Sequence, residues 1–239
     1  MRGLFITGTD TGVGKTAVTA AIVRQMLAEG IPVGAYKPAA SGVEEAPEGP
    51  LWRDVEILWR ALQGNYPRER ICPQVFVAPL APPVAAEQEG KQVDRQLLRT
   101  GLDWWQGRVD AVLIEGAGGL LSPLAEVDSV ADVARDLGFP LLIVGRLGLG
   151  TINHTMLTVE AARSRGLEVA GIVLNEAVRL AADDTSWQTN AREIQRRCDV
   201  PVLSVVRHVL GGDLLEVGEL QRIRWELLSQ PKKPLATQE

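Results

Sequence analysis

Residues 8–16 read Gly-Thr-Asp-Thr-Gly-Val-Gly-Lys-Thr, and no other stretch limits the possible folds so severely. Leu4-Phe5-Ile6 just before it is a short apolar run suited to a buried strand. Lys15-Thr16 after it open a helical run through AVTAAIVRQMLAEG. A strand, a glycine turn and a helix start together make a phosphate cradle. The loop N–H groups and the helix N-terminus point inward, Lys15 adds positive charge, and the Thr16 hydroxyl can ligate Mg²⁺. The usual pattern has four residues between the first glycine and Gly-Lys, whereas five separate Gly8 from Gly14. The alternative is a glycine-rich strand-to-helix turn that binds nothing.

The rest of the chain alternates in the same way. PVGAYKP, AVLIEG (111–116), PLLIVG (140–145), LEVAGIVLN (167–175) and VPVLSVV (200–206) are apolar runs of the kind found in parallel strands covered on both faces. Between them WRDVEILWRALQG, SVADVARDLG, TINHTMLTVEAARSRG and TSWQTNAREIQRRC have helical period. The pattern predicts one α/β domain of the P-loop NTPase type over residues 1–230, with a mostly parallel sheet, helices on both faces and a flexible tail at 231–239. Two segments break the rhythm. SGVEEAPEGP (41–50) is acidic and rich in turn formers, which predicts a mobile loop near the site. Residues 73–90 carry four prolines, which exclude a regular helix or central strand through their middle.

Composition narrows the function. A hydrophobic content of 46% fits a globular chain with a sizeable core, and a net charge of −5 argues against nucleic-acid binding. The two cysteines, Cys72 and Cys198, are too few and too distant for a disulfide framework or a zinc site, so both are expected as buried, reduced thiols. No apolar run is long enough to span a bilayer. With the first residues entering a strand directly, the expectation is a cytoplasmic protein without a membrane partner.

Ligands of open α/β sheets bind at the carboxyl ends of the strands, and polar residues stand there. Glu115 follows three large apolar residues in VLIEGAGG. A carboxylate so placed needs a compensating cation, such as Mg²⁺ beside a triphosphate, or backbone amides to satisfy it. Gly116, Gly118 and Gly119 would let backbone approach the phosphates. Asp54 is either a helix cap or a metal ligand. Lys37 is either a solvated strand-end lysine or a second ammonium group converging with Lys15 on an anion, an arrangement suited to phosphoryl transfer. Asn175 is either a cap or an amide for a purine edge. Val178 stands where guanine sites commonly carry an aspartate, so guanine specificity is unsupported. His154 and the pair Trp104-Trp105 read as structural.

Taken together, GTDTGVGKT, YKPAASG, VLIEGAGGLLSPL and GLGTINHTMLT resemble the dethiobiotin synthetases. Phe76, Pro79 and Pro82 in F-x-x-P-x-x-P and QEG at 88–90 extend the likeness, which runs from residue 3 to about 176. The longer phosphate loop is that family's own variant. The resemblance implies an ATP-dependent cyclo-ligase of biotin biosynthesis that joins 7,8-diaminononanoate and carbon dioxide, via a carbamate and a carbamic-phosphoric anhydride, and releases ADP and phosphate. It implies that Lys37 and Lys15 are catalytic, and that Thr16, Asp54 and Glu115 hold Mg²⁺. Gly12, Val13, Gly14, Lys15, Thr16 and Ala17 would wrap the phosphates of ATP. Glu115, Gly116, Ala117, Gly118, Asn175 and Glu176 would help hold the nucleotide. Thr11, Lys37 and Ser41 would contact the substrate, with Gly148, Leu149, Gly150, Thr151 and Asn153 contributed across a homodimer interface.

One departure concerns the base. After the last strand the family tends to show Gly-Glu-x-Pro, whereas this chain has Ser204-Val205-Val206-Arg207. Two rival readings share the phosphate loop. A cobyrinate-type amidating synthetase needs a glutaminase domain for which the chain has no room. A partitioning or nitrogenase-iron-type switch needs a lysine where Thr9 stands, or more cysteines than the chain has.

Overall fold

The computed structural model describes residues 1–47, 49–208 and 218–229. The chain opens with β1 (Arg2–Gly8), α1 (Lys15–Ala28) and β2 (Val33–Tyr36). The segment that follows contains β3 (Ala40–Ser41), β4 (Glu44–Ala46), β5 (Gly49–Leu51), α2 (Arg53–Ala61), α3 (Arg68–Ile71), β6 (Val75–Phe76), α4 (Pro82–Gln88) and α5 (Leu97–Thr100). A 3-10 turn at Gly101–Trp105 leads to β7 (Ala111–Gly119), α6 (Val130–Leu137), β8 (Leu141–Arg146), α7 (Thr151–Arg163), β9 (Val169–Asn175), α8 (Trp187–Arg197) and β10 (Val202–Val206). The short helices α9 (Gly218–Gln221) and α10 (Trp225–Leu228) come last.

Six strands form one sheet in the order β10-β9-β8-β1-β7-β2. Every pairing in it is parallel. From the central β1 the chain moves first towards β2 and later back towards β10. Crossovers between parallel strands are right-handed, so this reversal puts α1 on one face and α6, α7 and α8 on the other. The reversal makes the carboxyl end of β1 the topological switch point, where an open sheet offers its ligand crevice. Leu4, Phe5, Ile6, Leu113, Ile114, Leu142 and Ile143 are fully buried, as strands covered on both faces require.

Local chemistry sets the element ends. Gly14 starts α1 from a left-handed conformation, φ 88°, which costs a β-carbon-bearing residue far more. At α6 the Ser129 side chain accepts from the Asp132 N–H, and the Asp132 carboxylate accepts from the Ser129 N–H, forming a capping box. Trp105 is buried against Gly34, where a Cβ would collide with its ring. Tyr66, Trp104 and Trp105 pack edge to face, so the tryptophan pair is packing, as its sequence suggests. Trp225 is also buried, and its Nε1–H donates to Gln25 Oε1 at 2.9 Å, docking α10 on α1.

Two irregular segments are more ordered than their composition suggests. In place of the expected mobile loop at 41–50, β4 and β5 form an antiparallel hairpin that pairs Glu44 with Leu51 and Ala46 with Gly49. In the proline-rich stretch a short helix does form, but it begins at Pro82, where the missing N–H of a first-turn proline has no partner to lose. The expected tail at 231–239 lies outside the described residues. Both cysteines are buried, and burial pushes the Cys72 thiol up to about 12. Among the described residues no helix is long and apolar enough to cross a membrane.

Candidate active site

The loop after β1 is tied at both ends. The Thr9 N–H donates to the Val144 carbonyl at 3.0 Å, and the Asn175 amide donates to the Val13 carbonyl at 2.9 Å. Gly12 and Gly14 both have positive φ, 73° and 88°, so the backbone turns twice in a way glycine tolerates best. A Cβ on Gly14 would collide with the Asn175 amide. Lys15 bends back so that its ammonium donates to the Asp10 carbonyl at 3.1 Å. Burial, and then the nearby Lys37 charge, lower its pKa to about 8. Thr11 is exposed beside it, and Ala17 is half-buried on α1.

Strands β2 and β7 run side by side and deliver the next groups. Lys37 follows β2, its side chain 3% exposed, and its ammonium lies 2.7 Å from Glu115 Oε1 and 2.9 Å from Asp54 Oδ2. Burial disfavours this ammonium, but Asp54 and Glu115 outweigh it and raise the Lys37 pKa above its ordinary value. The Lys37 charge in turn lowers the pKa of Asp54, whose side chain is half exposed on α2. Glu115 is 1% exposed; its Oε1 also accepts the Thr16 hydroxyl at 2.7 Å, and its Oε2 is buried with no hydrogen-bond partner. Lys15, Thr16, Lys37, Asp54 and Glu115 therefore meet at one point, from four separate elements. Lys37 is thus buried and paired rather than solvated, with Asp54 and Glu115 as its carboxylate partners.

This donor set fits Mg²⁺. Two carboxylates and a hydroxyl are hard oxygen ligands, and Mg²⁺ keeps waters and phosphate oxygens for its remaining positions. The orphaned Glu115 Oε2 is a buried acceptor in want of a cation. Among the described residues no group of three or more His, Cys, Asp or Glu is gathered, so an all-protein metal cage is not what the site offers.

The glycines after Glu115 divide in function. A Cβ on Gly116 would meet Val130 Cγ1 at 2.6 Å, so its small size allows the packing of α6 on β7. Gly118, at φ 73°, faces Ser122 and Thr11, and Ala117 is half-buried beside it. Ser41 donates its hydroxyl to the Leu80 carbonyl at 2.5 Å, joining the 3–6 strand pair to the turn at 77–81.

Asn175 and Glu176 end β9. Glu176 is buried, its Oε1 accepts the Leu180 N–H at 2.8 Å, and its Oε2 accepts Arg207 Nε at 2.5 Å and the His208 N–H at 3.1 Å. The segment Gly148–Asn153 follows β8, which lies three strands from β2 in the sheet. Its Gly148 carbonyl accepts from Asn190 at 2.9 Å, the Leu149 N–H faces Asp184 Oδ2 at 3.4 Å, and Thr151 is buried. Leu149, Gly150, Asn153 and His154 are exposed. Between this helix and the phosphate loop lies a cavity of about 350 Å³ lined by Thr9, Asp10, Gly119, Leu121, His154 and Leu157. Asp184 and Trp187 escaped sequence reasoning, because each meets a partner distant in sequence, Leu149 and Arg207.

An AAA domain family model matches residues 2–210. The chain is 51% identical over 209 residues to the ATP-dependent dethiobiotin synthetase BioD of Anaeromyxobacter sp. (strain Fw109-5), covering 87% of this chain and 91% of the relative. The protein of the same name from Bacillus subtilis subsp. natto is 41% identical over 210 residues, covering 86% of this chain and 87% of the relative. Among solved structures, a ParA family ATPase from Chlorobium tepidum superposes with a TM-score of 0.52 at 14% identity, over 95% of this chain and 98% of that one. The cell division ATPase MinD of Pyrococcus furiosus superposes at 0.51 and 17% identity, over 98% and 92%. At these identities the solved structures speak to the fold alone, that of a P-loop NTPase.

Proposed function

The chain belongs to the ATP-dependent dethiobiotin synthetase family, and we propose that it closes the ureido ring of dethiobiotin in the cytoplasm from 7,8-diaminononanoate, carbon dioxide and ATP. One amine captures carbon dioxide as a carbamate. A carbamate oxygen then attacks the γ-phosphorus of ATP, giving a carbamic-phosphoric anhydride and ADP. The second amine attacks the anhydride carbon, and inorganic phosphate leaves as the ring closes. No protein nucleophile is required, since positioning and charge neutralisation suffice.

The observation that carries this reading is the Lys37 ammonium held 2.7 Å from Glu115 at the foot of the phosphate loop. A buried, fixed positive charge suits an anionic carbamate and a transferring phosphoryl group. Lys37 contacts both, Lys15 meets the β- and γ-phosphates, and Gly12 to Ala17 wrap the chain of phosphates with backbone N–H groups. Thr16, Asp54 and Glu115 would hold Mg²⁺, which neutralises charge on the β- and γ-phosphate oxygens. Thr11 and Ser41 line the diamine end of the substrate.

The far carboxylate of the substrate is met by Gly148, Leu149, Gly150, Thr151 and Asn153 of a second copy in a homodimer. Support comes from the exposure of Leu149 beside the start of α7, at 81%, and of Leu157 and Leu121 lining the cavity beside that helix, at 59% and 52%. The substrate carboxylate takes over the Leu149 N–H from Asp184. The deciding experiment follows ADP release with 7,8-diaminononanoate, bicarbonate and Mg²⁺ supplied singly and together. Turnover is expected only with all three, and equal ATPase activity without the diamine would return the chain to the switch reading.

A further inference from the structure

Lys37 is held from two sides by helices that one ion pair joins. Its ammonium lies 2.9 Å from Asp54 Oδ2, at the start of α2. Its backbone N–H donates to the Ile71 carbonyl at 2.7 Å, at the end of α3. Between the two helices, Glu56 Oε2 accepts both Nε and Nη2 of Arg68, at 3.0 and 2.7 Å. The Arg68 guanidinium also lies over the Trp59 ring, 3.6 Å from its centroid. Glu56 and Trp59 stand three residues apart on α2, so the first residue of α3 is fixed to that helix by an edge and by a face. A closed ring results: Lys37, Asp54, α2, Glu56, Arg68, α3, Ile71 and back to Lys37.

The ring needs this pair because little else orients α3. That helix has four residues, a single turn that cannot hold its own position. The connector before it turns through positive φ at Gln63 and Gly64, 58° and 72°. Ile71 is fully buried, but apolar burial is non-directional and does not aim a carbonyl. A forked, charge-assisted contact does. Burial would raise the Glu56 pKa, yet the hydrogen bonds from Arg68 and Arg60 outweigh it and hold the carboxyl below its ordinary range. Arg60 meets Glu56 Oε1 at 2.7 Å from the same helix, four residues on, so it joins α2 to nothing else. Given the role of Lys37 under the reading above, on which this inference rests, we propose that Glu56 and Arg68 are positioning residues for ring closure. Their ion pair fixes α3 against α2 and so sets where the Lys37 ammonium stands. A shift of about 1 Å in a charge that acts on the transferring group can cost about 10²-fold in rate.

The test compares kcat for dethiobiotin formation with calorimetric MgATP affinity in the full chain and its variants. Arg68→Met keeps a hydrocarbon stem over Trp59 and removes the fork. Its kcat is expected to fall about tenfold to hundredfold, with MgATP affinity within about twofold of the unaltered protein. Arg60→Met removes the other guanidinium on Glu56 without opening the ring, so its kcat should stay within about twofold. In a Lys37→Ala background Arg68→Met should cost nothing further, because the pair acts through Lys37. Should Arg68→Met not fold, Arg68→Lys takes its place: a lysine lacks the rigid fork, and kcat should fall about threefold or more. Normal kcat in the folded Arg68 variant would overturn the proposal. So would an equal loss in Arg60→Met, an equal loss of MgATP affinity, or a full further loss in the Lys37→Ala background. Failure of the unaltered chain to form dethiobiotin would instead sink the synthetase reading, and this inference with it.

Discussion

Lys37 Nζ lies 2.7 Å from Glu115 Oε1, and the same oxygen accepts the Thr16 hydroxyl at the same distance. One carboxylate oxygen thus joins the end of β2 to the first turn of α1. With Lys37 3% and Glu115 1% exposed, the pair has almost no water to replace a lost partner. Removing one member of a buried pair typically costs about 3–5 kcal/mol of stability, so Lys37→Ala is expected to lower the melting temperature of the nucleotide-free protein.

The same variant separates ground-state binding from chemistry. If the Lys37 charge acts on the transferring group, kcat for dethiobiotin formation falls by roughly 10²-fold or more while nucleotide affinity changes little. Lys15→Ala should weaken both, because its ammonium faces the phosphates before reaction. Steady-state kinetics together with direct MgATP binding read the difference. Near-normal turnover in Lys37→Ala, measured where the variant remains folded, would deny that residue its catalytic role.

Lys15 gives nucleotide binding a pH signature. Burial and Lys37 hold its free-state pKa at about 8, and bound phosphate raises it. Below pH 8 the ammonium is already charged, so affinity is at its full value. As pH rises through 8 the free protein loses the proton that the complex keeps. Binding must then take up a proton, and affinity falls by up to tenfold per pH unit until the pKa of the bound state is reached. Calorimetry at pH 8.5 in buffers of different ionisation enthalpy should show proton uptake in the unaltered protein and none from this group in Lys15→Met.

Asp54 differs from Glu115 in standing half exposed, with its carboxylate 2.9 Å from the Lys37 ammonium. Asp54→Asn keeps shape and removes charge, so it should raise the Mg²⁺ concentration for half-maximal turnover while leaving the fold intact. Chelation of Mg²⁺ should abolish ADP release altogether. Mg²⁺ titrations of initial rate check both outcomes, and an unchanged requirement in Asp54→Asn would remove that residue from the ligand set.

The convergence of Lys15, Thr16, Lys37 and Glu115 was legible in the sequence because each follows, or opens, an element with an unmistakable period. A parallel sheet brings its strand ends to one edge, so polar residues just past apolar runs must gather there. The Asp54 position was legible only as a choice between cap and ligand, since a helix start looks the same for both. The hairpin at 44–51 was hidden because Glu44-Glu45 and Gly49-Pro50 carry no apolar alternation to announce a strand. The Glu176–Arg207 pair spans 31 residues and depends on β9 and β10 being adjacent, a fact of topology that no local pattern encodes.

The last expectation concerns the number of chains in one working site. Asn153 and Leu157 stand four residues apart on α7 and share one helical face, and both are exposed, as is Leu149 just before the helix. Leu149 and Leu157 are apolar, and Leu121 from the end of β7 lies across the cavity from Leu157. A face of this kind is suited to a second copy. The proposed cradle at 148–153 follows β8, three strands from β2 in the sheet, and Asp184 already takes its Leu149 N–H. If the cradle serves the neighbouring subunit, an active site combines Lys37 of one chain with residues 148–153 of the other. Mixed dimers test this directly: one chain carries Lys37→Ala, the other Gly150→Val together with Asn153→Ala. Each homodimer is expected to be nearly inactive. In the heterodimer one site receives both defects and the other receives neither, so about half the activity of an unaltered dimer should return. Heterodimers isolated by two affinity tags give the measurement. Purified heterodimers with no recovered activity would place both halves of the site on one chain, and a fully active monomer would dispose of the shared site altogether.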